Sequence, residues 1–233
     1  MIHSLRAITI VTFFALSSCQ SSTPMVSYND SEGWVSLFDG KSLKGWHGYL
    51  NEEIGAGWQI ADGTFYLDKS KGEGGDLVTD MEFENFEFSL EWKIQDCGNS
   101  GIFFNIVEDP QYKYPWLTGP EMQILDDKCH PDAKIDTHRA GDLYDMIETS
   151  IPTVLPAGSW NSIKIRSMNG DMTFWQNGKE VVNFTMHNED WDKMVAQSKF
   201  KSMPAFGKSK RGRIGLQDHG DMVWFRNLKV RVL

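Results

Sequence analysis

Three stretches of this chain gather side chains that could move protons or hold a polar ligand. In Gly119-Pro-Glu-Met-Gln-Ile-Leu-Asp-Asp127 the spacing Glu121-x-Gln123-x-x-Asp126 lies on a segment that otherwise reads as a strand. On a regular strand Glu121 and Gln123 project to one face, and Asp126 leaves with Met122 on the other. One extra residue between Gln123 and Asp126 would bring all three together, and such bulges are common beside active sites. The second stretch, Ile214 to Val230, reads as two strands around a tight turn at Gly220. Gln217, Asp218 and His219 then sit at a strand end, with Arg226 and Asn227 on the return strand. His219, flanked by Asp218 and Asp221, is a candidate base or proton carrier. Gly98-Asn99-Ser100-Gly101 permits close backbone approach, and Tyr144 in Gly141-Asp-Leu-Tyr-Asp145 could stack on a bound ring or hydrogen-bond a carbonyl. Each group also has a plain reading, as wet-face strand residues, a hairpin cap and a packing tyrosine.

The elements that must carry these residues read as strands. Asn85 to Ile94 alternates Phe86, Phe88, Leu90, Trp92 and Ile94 with Glu87, Ser89, Glu91 and Lys93, the pattern of a strand with one wet face. Asn169-Gly170 and Asn177-Gly178 are hairpin signals that join strands at Ser162–Met168, Asp171–Gln176 and Lys179–Phe184. Further strands are expected at Trp34–Phe38, Gly57–Ala61, Thr64–Leu67, Asp76–Thr79, Gly101–Val107, Glu121–Leu125, Arg213–Gln217 and Met222–Val232. About a dozen strands, each with one apolar face, imply two packed sheets. One helix is expected over Asn188–Phe200, with Trp191, Met194, Val195 and Ser198 on one side, as a peripheral cover.

The first residues carry Arg6, an apolar run from Ala7 to Leu16, and then Leu16-Ser-Ser-Cys19. That run is too short to cross a bilayer of roughly 30 Å, and it reads as a secretory signal ending in a bacterial lipobox. Residues 1–18 would be the signal, Cys19 the acylated first residue of the mature chain, residues 19–31 the lipid anchor and polar tether, beginning with Gln20–Thr23, and residues 32–233 a single domain. The expected location is the cell envelope, on the periplasmic face of the outer membrane, with contact to the membrane through the lipid alone. A net charge of −9 argues against a nucleic-acid partner, and Lys208–Arg213 reads as a solvated loop. Cys97 and Cys129 are in a compartment that permits a disulfide; their spacing neither requires one nor makes a zinc site.

Taken together, the segments resemble a known family. Trp34-Val-Ser-Leu-Phe-Asp-Gly-Lys-Ser-Leu-Lys-Gly-Trp46, Gly98-Asn-Ser-Gly101, Glu121-Met-Gln-Ile-Leu-Asp126, Gly141-Asp-Leu-Tyr-Asp145, Trp160-Asn161, Asn177-Gly178, Gly215-Leu-Gln-Asp-His-Gly220 and Phe225-Arg-Asn227 occur in the order of the 3-keto-disaccharide hydrolase domain. The resemblance implies an all-β, concanavalin A-like jelly-roll sandwich of two antiparallel sheets with one short helix, acting on glycosides oxidised at carbon 3. It also implies that Glu121, Gln123, Asp126, Tyr144, Gln217, His219 and Arg226 converge on a concave sheet, with Asn99 and Asp218 as further ligand contacts.

Two chemistries compete for such a site. The spacing of Glu121, Gln123 and Asp126 is similar to the Glu-x-Asp-x-x-Glu strand of sandwich-fold β-glucanases, where two carboxylates about 5 Å apart perform retaining hydrolysis. Here the middle acid is Gln and the last is the shorter Asp. A ketone at carbon 3 offers another route, because it acidifies the proton at carbon 2 and makes the oxygen on carbon 1 a leaving group by elimination. That route needs a base (His219), a cation or donor for the enolate (Arg226 with Gln123), and an acid (Glu121 or Asp126). A divalent cation on Glu121, Asp126 or His219 is a further way to polarise the ketone, which the sequence leaves open. With no nucleotide-binding glycine fingerprint, a separate oxidoreductase is expected to supply the keto sugar. The alternative from another class is a carbohydrate-binding module that cleaves nothing, since fold does not imply function.

Overall fold

Period-two alternation in this chain produces thirteen strands in the computed structural model, which describes residues 32–233. In chain order they are β1 (Val35–Ser36), β2 (Trp46–Gly48), β3 (Trp58–Ala61), β4 (Thr64–Leu67), β5 (Leu77–Thr79), β6 (Phe86–Ile94), β7 (Asn99–Ile106), β8 (Glu121–Leu125), β9 (Asn161–Met168), β10 (Asp171–Gln176), β11 (Lys179–Thr185), β12 (Arg213–Leu216) and β13 (Val223–Val232). The larger sheet runs β11-β10-β9-β6-β13-β4-β3, with β1 also on β13, and the smaller runs β2-β5-β12-β7-β8. The two antiparallel sheets pack as the expected jelly-roll sandwich. Strand ends differ from the sequence reading by one or two residues in most cases, and β2 is an addition whose three residues are too few to show alternation. Cys19, its signal and the tether lie outside the described residues.

The core between the sheets is aromatic. Phe65 is fully buried and lies 5.0 Å from Phe38, 5.8 Å from Trp58 and 5.5 Å from Phe225, centroid to centroid. The inward row of β6, from Phe86 to Ile94, joins Ile102 and Phe104 of β7 and Met122 and Ile124 of β8 in the same apolar cluster. The helix is shorter than expected: α1 spans Glu189–Gln197, with Asn188 capping it by accepting from the Trp191 N–H at 2.8 Å. Ser198 ends α1 and then caps a separate 3₁₀ turn, Lys199–Ser202. Trp191 is buried between Phe184 and Phe206, which anchors this segment to the sandwich.

Two further differences bear on the site. The segment from Ile214 to Val230 is not a hairpin. β12 pairs with β5 and β7 in the smaller sheet, and β13 pairs with β6, β4 and β1 in the larger one, so the turn at Gly220 carries the chain across the sandwich. The cysteines are resolved as a disulfide: Cys97 and Cys129 bond, with Cα atoms 4.7 Å apart, and tie the turn before β7 to the turn after β8. Replacing Phe65 by Ala removes the ring at the centre of the aromatic cluster, and a loss of about 3–5 kcal/mol is expected from urea melts, far above the effect of a surface substitution.

Candidate active site

Glu121 and Gln123 point away from the core on the outer face of β8, yet both are buried. Their burial follows from what lies across the ladder. Gly101 of β7 pairs with Gln123, and a Cβ built on Gly101 would stand 1.9 Å from the Glu121 Oε1. The missing side chain lets the carboxyl lie directly on the neighbouring strand. With its amide nitrogen turned toward the two acceptors beside it, Gln123 donates to the Ser100 carbonyl and to Glu121 Oε1, each at 3.1 Å. Burial pushes the Glu121 carboxyl up to about 8; the Asp76 charge adds to the rise, and Lys199 opposes it. Glu121 is therefore a neutral acid at neutral pH.

These groups line a cleft of about 390 Å³ with Asn99, Trp116, Tyr144, Lys199, Phe200, Met203, Gln217, Asp218 and His219. One wall comes from outside the sheets. The loop 141–144 adds to the free edge of β8: Gly141 N–H donates to the Gln123 carbonyl, Gln123 N–H to Asp142, and Tyr144 N–H to Glu121. That backbone pairing sets the Tyr144 ring beside Glu121. Burial and the Glu121 charge raise the Tyr144 hydroxyl further above its ordinary range. Asp145, at positive φ, then bonds in two directions: its Oδ1 meets His138 Nε2 at 3.0 Å, and its Oδ2 accepts from the Lys199 N–H at 2.7 Å. The 3₁₀ turn after α1 is thereby fixed with the Lys199 ammonium 3.8 Å above the Tyr144 ring. Lys199 has no local sequence signature; the break at Ser198 is the only hint, because a serine can cap a new turn.

The opposite rim comes from the crossing loop after β12. Gln217 and Asn99 line the cleft, with Gln217 Oε1 and Asn99 Oδ1 buried and without a hydrogen-bond partner among the described residues. Asp218 is committed to structure: Oδ2 takes the Gly75 N–H at 2.7 Å and the Lys69 Nζ at 3.0 Å, and Oδ1 takes the Gly220 N–H at 2.9 Å. It holds the turn that presents His219, exposed at the rim, with His130 edge-on at 6.3 Å. Asp221 does not flank the imidazole as a partner; it accepts from the Asn99 N–H and the Gln95 amide and pins the loop to β7. Asp76, which the sequence reading passed over, accepts the Asp218 N–H and is raised by burial to about 7.

Two expected site residues lie elsewhere. β7 and β8 pair without a register shift from Asn99–Leu125 to Phe103–Glu121, so no bulge turns Asp126 toward the cleft. Its Oδ2 accepts the Cys97 N–H at 2.8 Å and its Oδ1 the Lys128 N–H at 3.2 Å, which braces the disulfide turn. Arg226 is carried to the other sheet by the crossing at Gly220. There it pairs with Glu91 at 2.6 Å and stacks on Trp160. Of the donors named for a divalent cation, Glu121 and His219 line the cleft and Asp126 does not. Among the described residues the one close trio of such donors is Cys97, Asp126 and Cys129, whose sulfurs are joined to each other.

Residues 33–231 match the model of the 3-keto-alpha-glucoside-1,2-lyase-like domain. The chain belongs to this family. It is 37% identical to a 3-keto-disaccharide hydrolase of Bacteroides thetaiotaomicron, over 88% of this chain and 80% of that protein. A crystal structure of a proposed glycosyl hydrolase from Parabacteroides distasonis superposes with a TM-score of 0.80 at 34% identity, covering 87% of this chain and 94% of that one. A second protein from the same organism, described in the same way, gives 0.66 at 25% identity over 86% and 99%. For this member of the 3-keto-alpha-glucoside-1,2-lyase-like family, the Gly101 contact makes a direct prediction. Gly101→Ala should drive the Glu121 carboxyl off β7 into the open cleft. In a carbon-13 titration its midpoint should then fall from about 8 toward the ordinary carboxylate range; an unmoved midpoint would show that the carboxyl does not depend on that contact.

Proposed function

We propose that this chain cleaves the glycosidic bond of sugars bearing a ketone at carbon 3, by elimination followed by addition of water. The observation that carries the reading is a buried Glu121 sharing one cleft with a lysine, a histidine and the side chains of Asn99 and Gln217. Ordinary retaining hydrolysis needs a carboxylate pair across the scissile bond, and Asp126 is not placed to complete one with Glu121. In the proposed reaction His219 takes the proton from carbon 2. The electrons move onto the carbon 3 oxygen, which faces the Lys199 side chain in the place first given to Arg226. Their return expels the oxygen on carbon 1, protonated by Glu121. Water then adds to carbon 1 of the enone, and carbon 2 regains a proton. Asn99 and Gln217 offer polar contacts to the sugar, and Trp116, stacked on Tyr114 at 4.3 Å, supplies an aromatic wall for the sugar or its aglycone. The ketone itself must come from an oxidoreductase acting on carbon 3.

The test is aglycone release from a 3-keto glucoside and its unoxidised parent, run side by side in deuterated water with an enzyme-free control and with and without EDTA. Release from the keto substrate alone, with deuterium at carbon 2 of the sugar, is the expected result. Release without deuterium would remove the elimination step, and loss in EDTA would add a metal to it. Release from the parent would restore a two-carboxylate glycosidase, and binding without release would make the protein a carbohydrate-binding module. The acid role also sets a pH dependence. Because Glu121 must carry its proton, kcat/KM should fall as pH rises through about 8, and Glu121→Ala should lower kcat/KM by about 10²- to 10⁴-fold and abolish that alkaline limb.

A further inference from the structure

Lys199 has a setting that a merely electrostatic role does not need. Its Nζ lies 3.8 Å from the Tyr144 ring and 5.3 Å from the Phe200 ring, and it forms no ion pair or hydrogen bond among the described residues. Lys69, at the base of the neighbouring turn, contrasts with it in bonding both Glu73 and Asp218. Burial lowers the Lys199 pKa against the pull of Glu121, Asp145 and Asp132, and the absence of an ion pair or hydrogen bond leaves the nitrogen open to a ligand in the cleft. A neutral primary amine in an apolar setting is the side chain that adds to carbonyl groups. Glu121, buried and lining the same cleft, is the acid that such an addition requires.

Resting on the reading that the cleft takes a 3-keto sugar, we infer that Lys199 Nζ condenses with carbon 3 and that the elimination runs through an iminium. The amine adds to carbon 3 to give a carbinolamine. Glu121 protonates its hydroxyl, which leaves as water, and regains a proton from solvent. His219 then removes the carbon 2 proton, and the electrons pass to nitrogen as an enamine. Their return forms the double bond between carbons 1 and 2 and expels the glycosidic oxygen, protonated by Glu121. Water adds to carbon 1, carbon 2 is reprotonated, and hydrolysis of the iminium restores the ketone and the free amine. One water is consumed overall and no oxidant or reductant is needed. Asp145 is a positioning residue here, because it holds the Lys199 backbone at the cleft.

The test is to mix the full chain with a 3-keto glucoside and cyanoborohydride, which reduces an iminium in preference to a ketone, and to map any adduct by peptide mass spectrometry. An adduct on Lys199 is expected. Lys199→Arg, which keeps the charge and cannot form an imine, should give no adduct and should slow aglycone release by about 10²-fold or more, with an unchanged circular dichroism spectrum. Turnover by the wild-type chain with no adduct on Lys199 would overturn the imine while leaving elimination standing, as would a Lys199→Arg variant within a few fold of wild-type activity. Neither adduct nor release from the keto substrate would take down both readings.

Discussion

A carboxyl group laid against a glycine backbone is the constraint from which the site follows. β7 and β8 are covered on both faces, so a polar side chain on the outer face of β8 is buried although it points away from the core. Ionising such a group without a close partner is expensive. The strand therefore carries Glu121 as a neutral acid, with the Gln123 amide as its direct donor and Lys199 close enough to oppose the shift in its pKa. Every other part of the cleft is arranged around that acid by backbone contacts, from the loop 141–144 at the edge of β8 to the crossing loop after β12. The polar groups of the rim are fixed mainly by carboxylates that do no chemistry themselves: Asp145 for Lys199, Asp218 for His219 and Asp221 for Asn99.

How much of this could be read in the residues depends on the range of the interaction. The alternation of β6 was legible because one of its faces is wet, and the outward pair Glu121 and Gln123 was legible because period two holds along any regular strand. Asp126 was misplaced by adding a bulge where the β7–β8 ladder is regular; the simpler period-two count was the correct one. Arg226 was misplaced for a different reason. Two strands joined by a short glycine turn look like a hairpin locally, and only the competing partners β5, β7 and β6 send them to separate sheets. The disulfide between Cys97 and Cys129 was open in the sequence because it depends on the pairing of β7 with β8, which brings the turns at their ends together.

Lys199 marks the limit of local reading. Nothing near it in the chain resembles a motif, and a helix carried through to Phe200 hides it on a peripheral element. Its place at the cleft is set by Asp145, 54 residues away in the chain, together with the local packing of Trp191 between Phe184 and Phe206. Asp76 was missed in the same way, since its proximity to Glu121 arises between strands of the smaller sheet that are distant in sequence.

The separate origins of the two walls have a consequence for how activity is lost. The acid is placed by the pairing of β7 with β8, but the amine also needs the segment from α1 to the 3₁₀ turn docked through Asp145. Loss of that docking would leave the sheets complete and the cleft without its amine, so that catalytic competence reports on the integrity of this cover more sharply than β-structure content does.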